Sequence, residues 1–248
     1  MIRLEEIRKS FGDLHVLSGF SLEVDAGETV VVIGRSGSGK SVLLKHVAGL
    51  MRPDSGSVRV GSEEVSNATP KQVKKIRLEM GYVFQGSALF DSMTVRENIL
   101  LALRRHGVPA DERADRVEHS LEVVGLTGWG DAHPAELSGG MKKRAGVARA
   151  VAPRPDYLLY DEPTSGLDPV TTAMIDELIL ELKRELEATS IVVTHNMVSA
   201  YRVADRIALL LDGRVRWTGT PEEMREEADP AVRAFVEGRR ELWPEDAR

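Results

Sequence analysis

An α/β fold with a mainly parallel core sheet is predicted by three features of the 248-residue sequence. Short apolar, β-branched runs alternate with helical patterns, as strands joined by helical crossovers require. One of these runs, ETVVVIG, leads directly into a glycine-rich loop and then a helix. Another, YLLYD, ends on an acidic residue, at the strand end where open α/β sheets gather their ligands.

The elements follow in order. Residues 2–7, 20–25 and 57–60 read as short strands of an antiparallel β edge at the N-terminus. Between them ETVVVIG is a buried strand, and SVLLKHVAGL after the loop is a helix ending near Gly49. GYVF, at 81–84, is the next strand. From 94 to 126, VRENILLALRRHG and RADRVEHSLEVVGL are helical with no strand between them. They mark a helical sub-lobe, assigned to 86–150, set into an α/β body formed by 1–85 and 151–225. YLLYD (157–161) resumes the body. The helix after it has Asp168 as its cap and Pro169 in its first turn. Its Val170, Met174, Leu178 and Leu182 form a stripe expected to pack in the core. SIVVTH (190–195), a helix, a hairpin around Asp212-Gly213 and a helical tail, 226–248, complete the chain.

Composition removes several function classes. With 42% apolar and 29% charged residues, the chain lies in the soluble globular range. No run of eighteen apolar residues occurs, and MIRLEEIRKSF has no signal-peptide pattern, so a cytoplasmic chain is expected. The absence of cysteine excludes disulfides, thiolate catalysis and cysteine zinc sites. A net charge of −6 argues against bulk electrostatic attraction to nucleic acid. The basic runs VKKIR (73–77) and MKKR (141–144) have no interleaved aromatics and read as solvated helix faces, so no nucleic-acid partner is expected.

GRSGSGKS fits the pattern G-x-x-x-x-G-K-[ST] in the required strand–loop–helix context. Gly34, Arg35, Ser36, Gly37, Ser38 and Gly39 would wrap phosphate oxygens in backbone N–H groups. Lys40 would reach the β- and γ-phosphates of ATP, and the Ser41 hydroxyl would ligate Mg²⁺. In YLLYDEP, Asp161 is placed to hold the metal through water and Glu162 to polarise a water for attack. Alone, that segment is equally an ordinary strand followed by an acidic loop. His195 ends its strand beside the one carrying Asp161, within reach of a γ-phosphate. Gln85 ends GYVFQ, where a glutamine beside the metal would sense water and nucleotide. By itself a histidine at a strand end is usually just a polar terminus, and Gln85 alone reads as a surface amide.

ELSGGMKKRAGVARA (136–150) then poses a problem. Ser138 can cap a basic helix, and Gly139 and Gly140 leave its N–H groups open to an anion. One chain thus carries two phosphate sites.

Taken in order, GRSGSGKS, Gln85, LSGG, YLLYDE, SGLD and His195 resemble the motifs of ABC-type ATPases, over essentially the whole chain. The resemblance implies an ABC-type nucleotide-binding domain of the phosphate-loop NTPase class, hydrolysing ATP with Mg²⁺ to drive transport. It also resolves the double site: LSGG would close over the γ-phosphate held by a second copy, so a head-to-tail homodimer shares two ATP molecules. By the same resemblance Phe11 stacks on adenine, where tyrosine is more usual, and Asp168 lies in the loop crossing the dimer interface. Glu162 is the general base, Gln85 couples the site to an integral-membrane permease and ligates the metal, and His195 is the γ-phosphate switch. Met141 replaces the glutamine that commonly completes LSGGQ, and Asn196 replaces the aspartate that often follows the histidine.

Met141 with its basic neighbours, GRSGSGKSVLLKHVAGL, FQGSALFDSMTVRENI and VVTHNMVSA together resemble the ATPases of MCE-type lipid transporters. This implies an MCE-type lipid-binding partner and a position on the inner face of the cell membrane. The segment after Gln85, with Leu89, Phe90 and Met93, would form the permease groove, though packing within the sub-lobe explains those side chains equally well. An amino-acid or methionine importer ATPase shares every catalytic motif and stays open. A non-transport ABC ATPase is a more distant alternative. The tail resembles lipid-transport ATPases up to Gly238, after which ELWPEDAR departs, leaving Trp243 either an interface anchor or part of a disordered end.

Overall fold

The structure, a computed structural model, describes residues 1–227 and 229–238. Trp243 and the ELWPEDAR segment lie outside the described residues. In chain order the strands and helices are β1 (Ile2–Phe11), β2 (Leu14–Val24), β3 (Thr29–Ile33), α1 (Lys40–Val47), β4 (Ser55–Val60), β5 (Glu63–Glu64) and α2 (Pro70–Arg77). Then come β6 (Met80–Val83), α3 (Val95–Arg105), α4 (Arg113–Val123), α5 (Gly139–Val151), β7 (Tyr157–Asp161) and α6 (Pro169–Leu186). The chain closes with β8 (Thr189–Thr194), α7 (Met197–Val203), β9 (Arg206–Leu211), β10 (Arg214–Gly219), α8 (Pro221–Glu226) and α9 (Pro230–Glu237). Among the described residues no helix is long and apolar enough to cross a membrane.

The chain divides into two compact units, Met1–Ile76 with the chain from Thr189 onward, and Arg77–Ala188. In the first unit β2, β1, β4 and β5 form an antiparallel sheet in that order. Beside it β3 pairs in parallel with both β8 and β9. Burial on both faces explains why β3 is apolar from Val30 onward, since Val30, Val31, Val32 and Ile33 are fully buried. Each such side chain contributes about 1.5–3 kcal/mol relative to exposure. β9 turns into antiparallel β10 through Asp212 and Gly213, both at positive φ (51° and 73°), which is the backbone a tight hairpin needs.

The second unit holds the parallel pair β6–β7 together with α3 to α6. α3 is fixed at its start by a capping box between Thr94 and Glu97. α6 starts on Asp168, whose side chain accepts from the Val170 and Thr171 N–H groups, with Pro169 following. Its buried face is not the expected stripe. Leu178 and Leu182 are buried, but Val170 is 72% and Met174 47% exposed. The core-facing side runs through Thr172, Ile175, Leu178, Ile179 and Leu182, so it keeps the C-terminal half of the stripe read in the sequence and leaves Val170 and Met174 outside it.

Candidate nucleotide site

In the first unit the glycine-rich loop lies between β3 and α1. Gly37 (φ 80°) and Gly39 (φ 102°) take left-handed backbone, and the space around Gly37 is open. α1 has no side-chain cap and no acid in its first turn, so its N-terminal N–H groups are presented to whatever the loop encloses. The buried Lys40 ammonium donates to the Gly34 carbonyl at 2.8 Å and the Arg35 carbonyl at 3.0 Å, stapling the loop shut from within. The Ser38 hydroxyl is buried and has no hydrogen-bond partner among the described residues. Arg35, Ser36 and Gly37 are exposed at the loop's rim, and Ser41 is half-buried in the first turn of α1. Open glycines, an uncapped helix start and an unsatisfied hydroxyl fit a phosphate chain.

Two further candidates lie on strands that flank this loop. A Cβ on Gly39 would lie 2.7 Å from Val16, so the loop sits against β2, the strand that pairs Phe11 with Leu14 in the first hairpin. Phe11 is 46% exposed, with the Lys9 ammonium 5.6 Å from its ring centre. On the other side, the parallel register of β3 and β8 sets Ile33 beside Thr194. Gly34 and His195 therefore leave adjacent strands at the same end. His195 is exposed, and Asn196 caps α7 through its side-chain oxygen. An aspartate there would accept the same two N–H groups, so this departure leaves the local geometry unchanged.

In the second unit Asp161 and Glu162 end β7, and both are buried. The Tyr82 hydroxyl donates to Asp161 at 3.3 Å; burial first, then the carboxylate, pushes that phenol far above its ordinary range. Glu162 has φ 48°, although it precedes a proline, which ordinarily favours extended backbone. The Lys143 ammonium donates to the Glu162 carbonyl at 3.3 Å and also to the Gln85 carbonyl. Burial pulls its pKa down, opposed by attraction to Glu162 and Asp161. The Gln85 side chain itself is exposed. Among the described residues no three His, Cys, Asp or Glu side chains cluster to cage a metal. That suits Mg²⁺, which one or two protein oxygens hold together with substrate phosphates and water.

The loop after Gln85 is anchored by Asn98, a fully buried amide on α3. It accepts from the Phe90 N–H and donates to the carbonyls of Phe90, Met93 and Thr94. Leu89 and Met93 are half-buried by this arrangement, while Phe90 stays 48% exposed.

Ser138 caps α5 by accepting from the Met141 N–H at 3.3 Å, which leaves the hydroxyl proton to donate outward. Ser138 and Gly139 are exposed, and no acid occupies the first turn. A Cβ on Gly140 would lie 2.6 Å from Thr171, whose hydroxyl donates to Asp168 at 2.5 Å. The LSGG turn and Asp168 are thus neighbours. Those donations hold the Asp168 carboxyl below its ordinary range, the Thr171 hydroxyl contributing most.

The basic run on α5 is not the solvated face read in the sequence. Lys143 is only 8% exposed. Arg144 donates to the carbonyls of Val124 and Gly125, both at 2.9 Å. Arg149 donates to those of Ser87 and Ala88. Basic side chains here saturate loop carbonyls, a function that no local pattern signals.

Residues 17–165 match the family model described as ABC transporter. The probable ribonucleotide transport ATP-binding protein of Mycobacterium leprae is 40% identical over 240 residues, 96% of this chain and 69% of that protein. A methionine import ATP-binding protein of Geobacillus kaustophilus is 40% identical over 241 residues, 95% of this chain and 70% of that protein. The bacterial ABC transporter cassette MJ0796, solved as a dimer, superposes with TM-score 0.83 at 33% identity, covering 89% of this chain and 99% of the other. Its dimeric post-hydrolysis state, bound to ADP and Pi, gives TM-score 0.82 at 32% identity over the same shares.

Proposed function

This chain belongs to the ABC transporter family, as an ATP-hydrolysing subunit that uses ATP with Mg²⁺, and on that premise we propose how its residues divide the work. The loop Gly34–Ser41 grips the phosphates, with Lys40 neutralising the β- and γ-oxygens and Phe11 stacking on adenine. Ser41, Asp161 and Gln85 hold Mg²⁺, which supplies charge neutralisation on the β- and γ-phosphates. Glu162 accepts a proton from the attacking water, and His195 contacts the γ-phosphate. A second copy brings Ser138, Gly139 and Gly140 to the same nucleotide, and Asp168 lies at the joint. The observation that carries the site is the loop itself: a buried ammonium, an unpartnered buried hydroxyl and an uncapped helix start around one space. Catalysis on these terms is positioning and electrostatics, with little covalent chemistry from the protein.

The cargo we propose is lipid, moved between membranes with an integral-membrane permease and an MCE-type partner, the chain sitting on the cytoplasmic face. Support comes from the LSGGM context and from the loop after Gln85, whose Phe90 is held outward by a buried amide. A second reading, methionine import, is favoured by the 40% identity to a methionine import ATP-binding protein. Purification of the chain from its native membranes in mild detergent, followed by mass spectrometry, separates the two. We expect a permease together with an MCE-domain protein. A permease with a small-solute binding protein would transfer the assignment to import, and absence of any membrane partner would overturn transport altogether.

A further inference from the structure

α5 carries Lys143, Gly146 and Arg149 at spacings of three, one stripe along the helix. The stripe lies against the loop that follows Gln85. Arg149 donates to the Ser87 carbonyl at 2.9 Å and to that of Ala88. A Cβ on Gly146 would approach Ser87 to 3.2 Å, so the helix needs its glycine there to come this close. Lys143, at the end of the stripe nearer the LSGG turn, donates to the Gln85 carbonyl and, on its other side, to that of Glu162.

The segments it joins are strained. Ser87 (φ 62°), Ala88 (φ 49°) and Glu162 (φ 48°) all hold left-handed backbone without being glycine. Such conformations persist only where the surroundings over-determine them. The Ser165 N–H donates to the same Glu162 carbonyl at 3.1 Å, and the Ser87 N–H to the Phe84 carbonyl at 2.9 Å, so a short local bond and a cation of α5 act together at each strained turn.

We infer that Lys143 is a positioning residue: one ammonium ties the backbone of Gln85 to that of Glu162, so that displacement of the permease-facing loop is felt at the base. This rests on the roles proposed for Gln85 and Glu162 and deepens them. The ammonium has three protons, and two carbonyls on different segments fix its place. An apolar side chain of equal length would fill the volume yet no longer join the two carbonyls, and the turns would relax independently.

The test compares Lys143→Met and Lys143→Gln in the full chain, first without nucleotide. Hydrogen exchange at the Ser87 and Ser165 amides should quicken by about tenfold or more in Lys143→Met, while amides of Gly34–Ser41 keep their rates. The kcat for ATP should fall by about tenfold or more with KM within about threefold, the mark of a geometry needed only in the transition state. Lys143→Gln, whose amide can still donate to both carbonyls, should recover most of the protection and the rate. Unchanged exchange at both amides with a wild-type kcat in Lys143→Met would overturn the inference. Equal losses in Lys143→Gln and Lys143→Met would overturn it too. If Lys143→Met does not fold, Lys143→Ala replaces it with the same expected and contradicting results, since water can enter and satisfy the carbonyls without fixing their spacing. Glu162→Gln is assayed alongside. Should that variant hydrolyse ATP normally, the base assignment fails, while the exchange result still decides on Lys143.

Discussion

Replacing Glu162 by glutamine is expected to slow ATP hydrolysis by roughly 10²- to 10⁴-fold while leaving ATP affinity unchanged, the usual size of a general-base effect. The substitution keeps the shape of the side chain and removes only its capacity to take a proton. Glu162 is buried at the end of β7, and its backbone is held at the carbonyl by Lys143 and Ser165, so the amide should occupy the same place. The glycine-rich loop proposed to bind the nucleotide belongs to the other unit. Steady-state turnover together with a nucleotide titration checks both halves. Normal turnover would remove Glu162 from the mechanism.

Lys40→Ala is expected to weaken ATP binding by about 30-fold or more, the equivalent of about 2 kcal/mol for truncating one member of a buried charged contact. Two losses combine there. The charge facing the phosphates disappears, and so do the two donations that fold the loop onto the Gly34 and Arg35 carbonyls. Calorimetric titration with ATP and Mg²⁺ gives the affinity directly. An unchanged Kd would mean that the loop does not hold the phosphates.

Much of the local geometry around the candidate site was legible in the sequence because the physics behind it is local. Gly37, Gly39 and Lys40 act within a single turn between a strand and a helix, and the motif states the spacing. The caps of α5 and α6 by Ser138 and Asp168 were likewise readable, each spanning only four consecutive residues. The hairpin at Asp212-Gly213 followed from its turn residues. Legibility ended where one segment depends on another far away in the chain. Lys143 and Arg149 look like surface charges until α5 meets the loop at 85–88 and the end of β7. The proline after Glu162 argues locally for extended backbone, yet the residue adopts the left-handed region. Val170 and Met174 fit an apolar stripe with Leu178 and Leu182, but only the two leucines lie on the face that α6 buries. Two-residue β5 carries too little periodic signal to be separated from the loops around it.

The central claim is that the two phosphate sites of one chain serve two different nucleotides. Mixing Lys40→Ala chains with Ser138→Arg chains tests it most directly. Each variant alone lacks one half of every shared site and should be nearly inactive. In a mixed head-to-tail dimer one site combines the intact loop of one chain with the intact LSGG turn of the other. With random pairing, half the dimers are mixed and each has one working site of two, so ATPase activity should return to roughly a quarter of the wild-type level. No recovery at any mixing ratio would contradict the shared-site account.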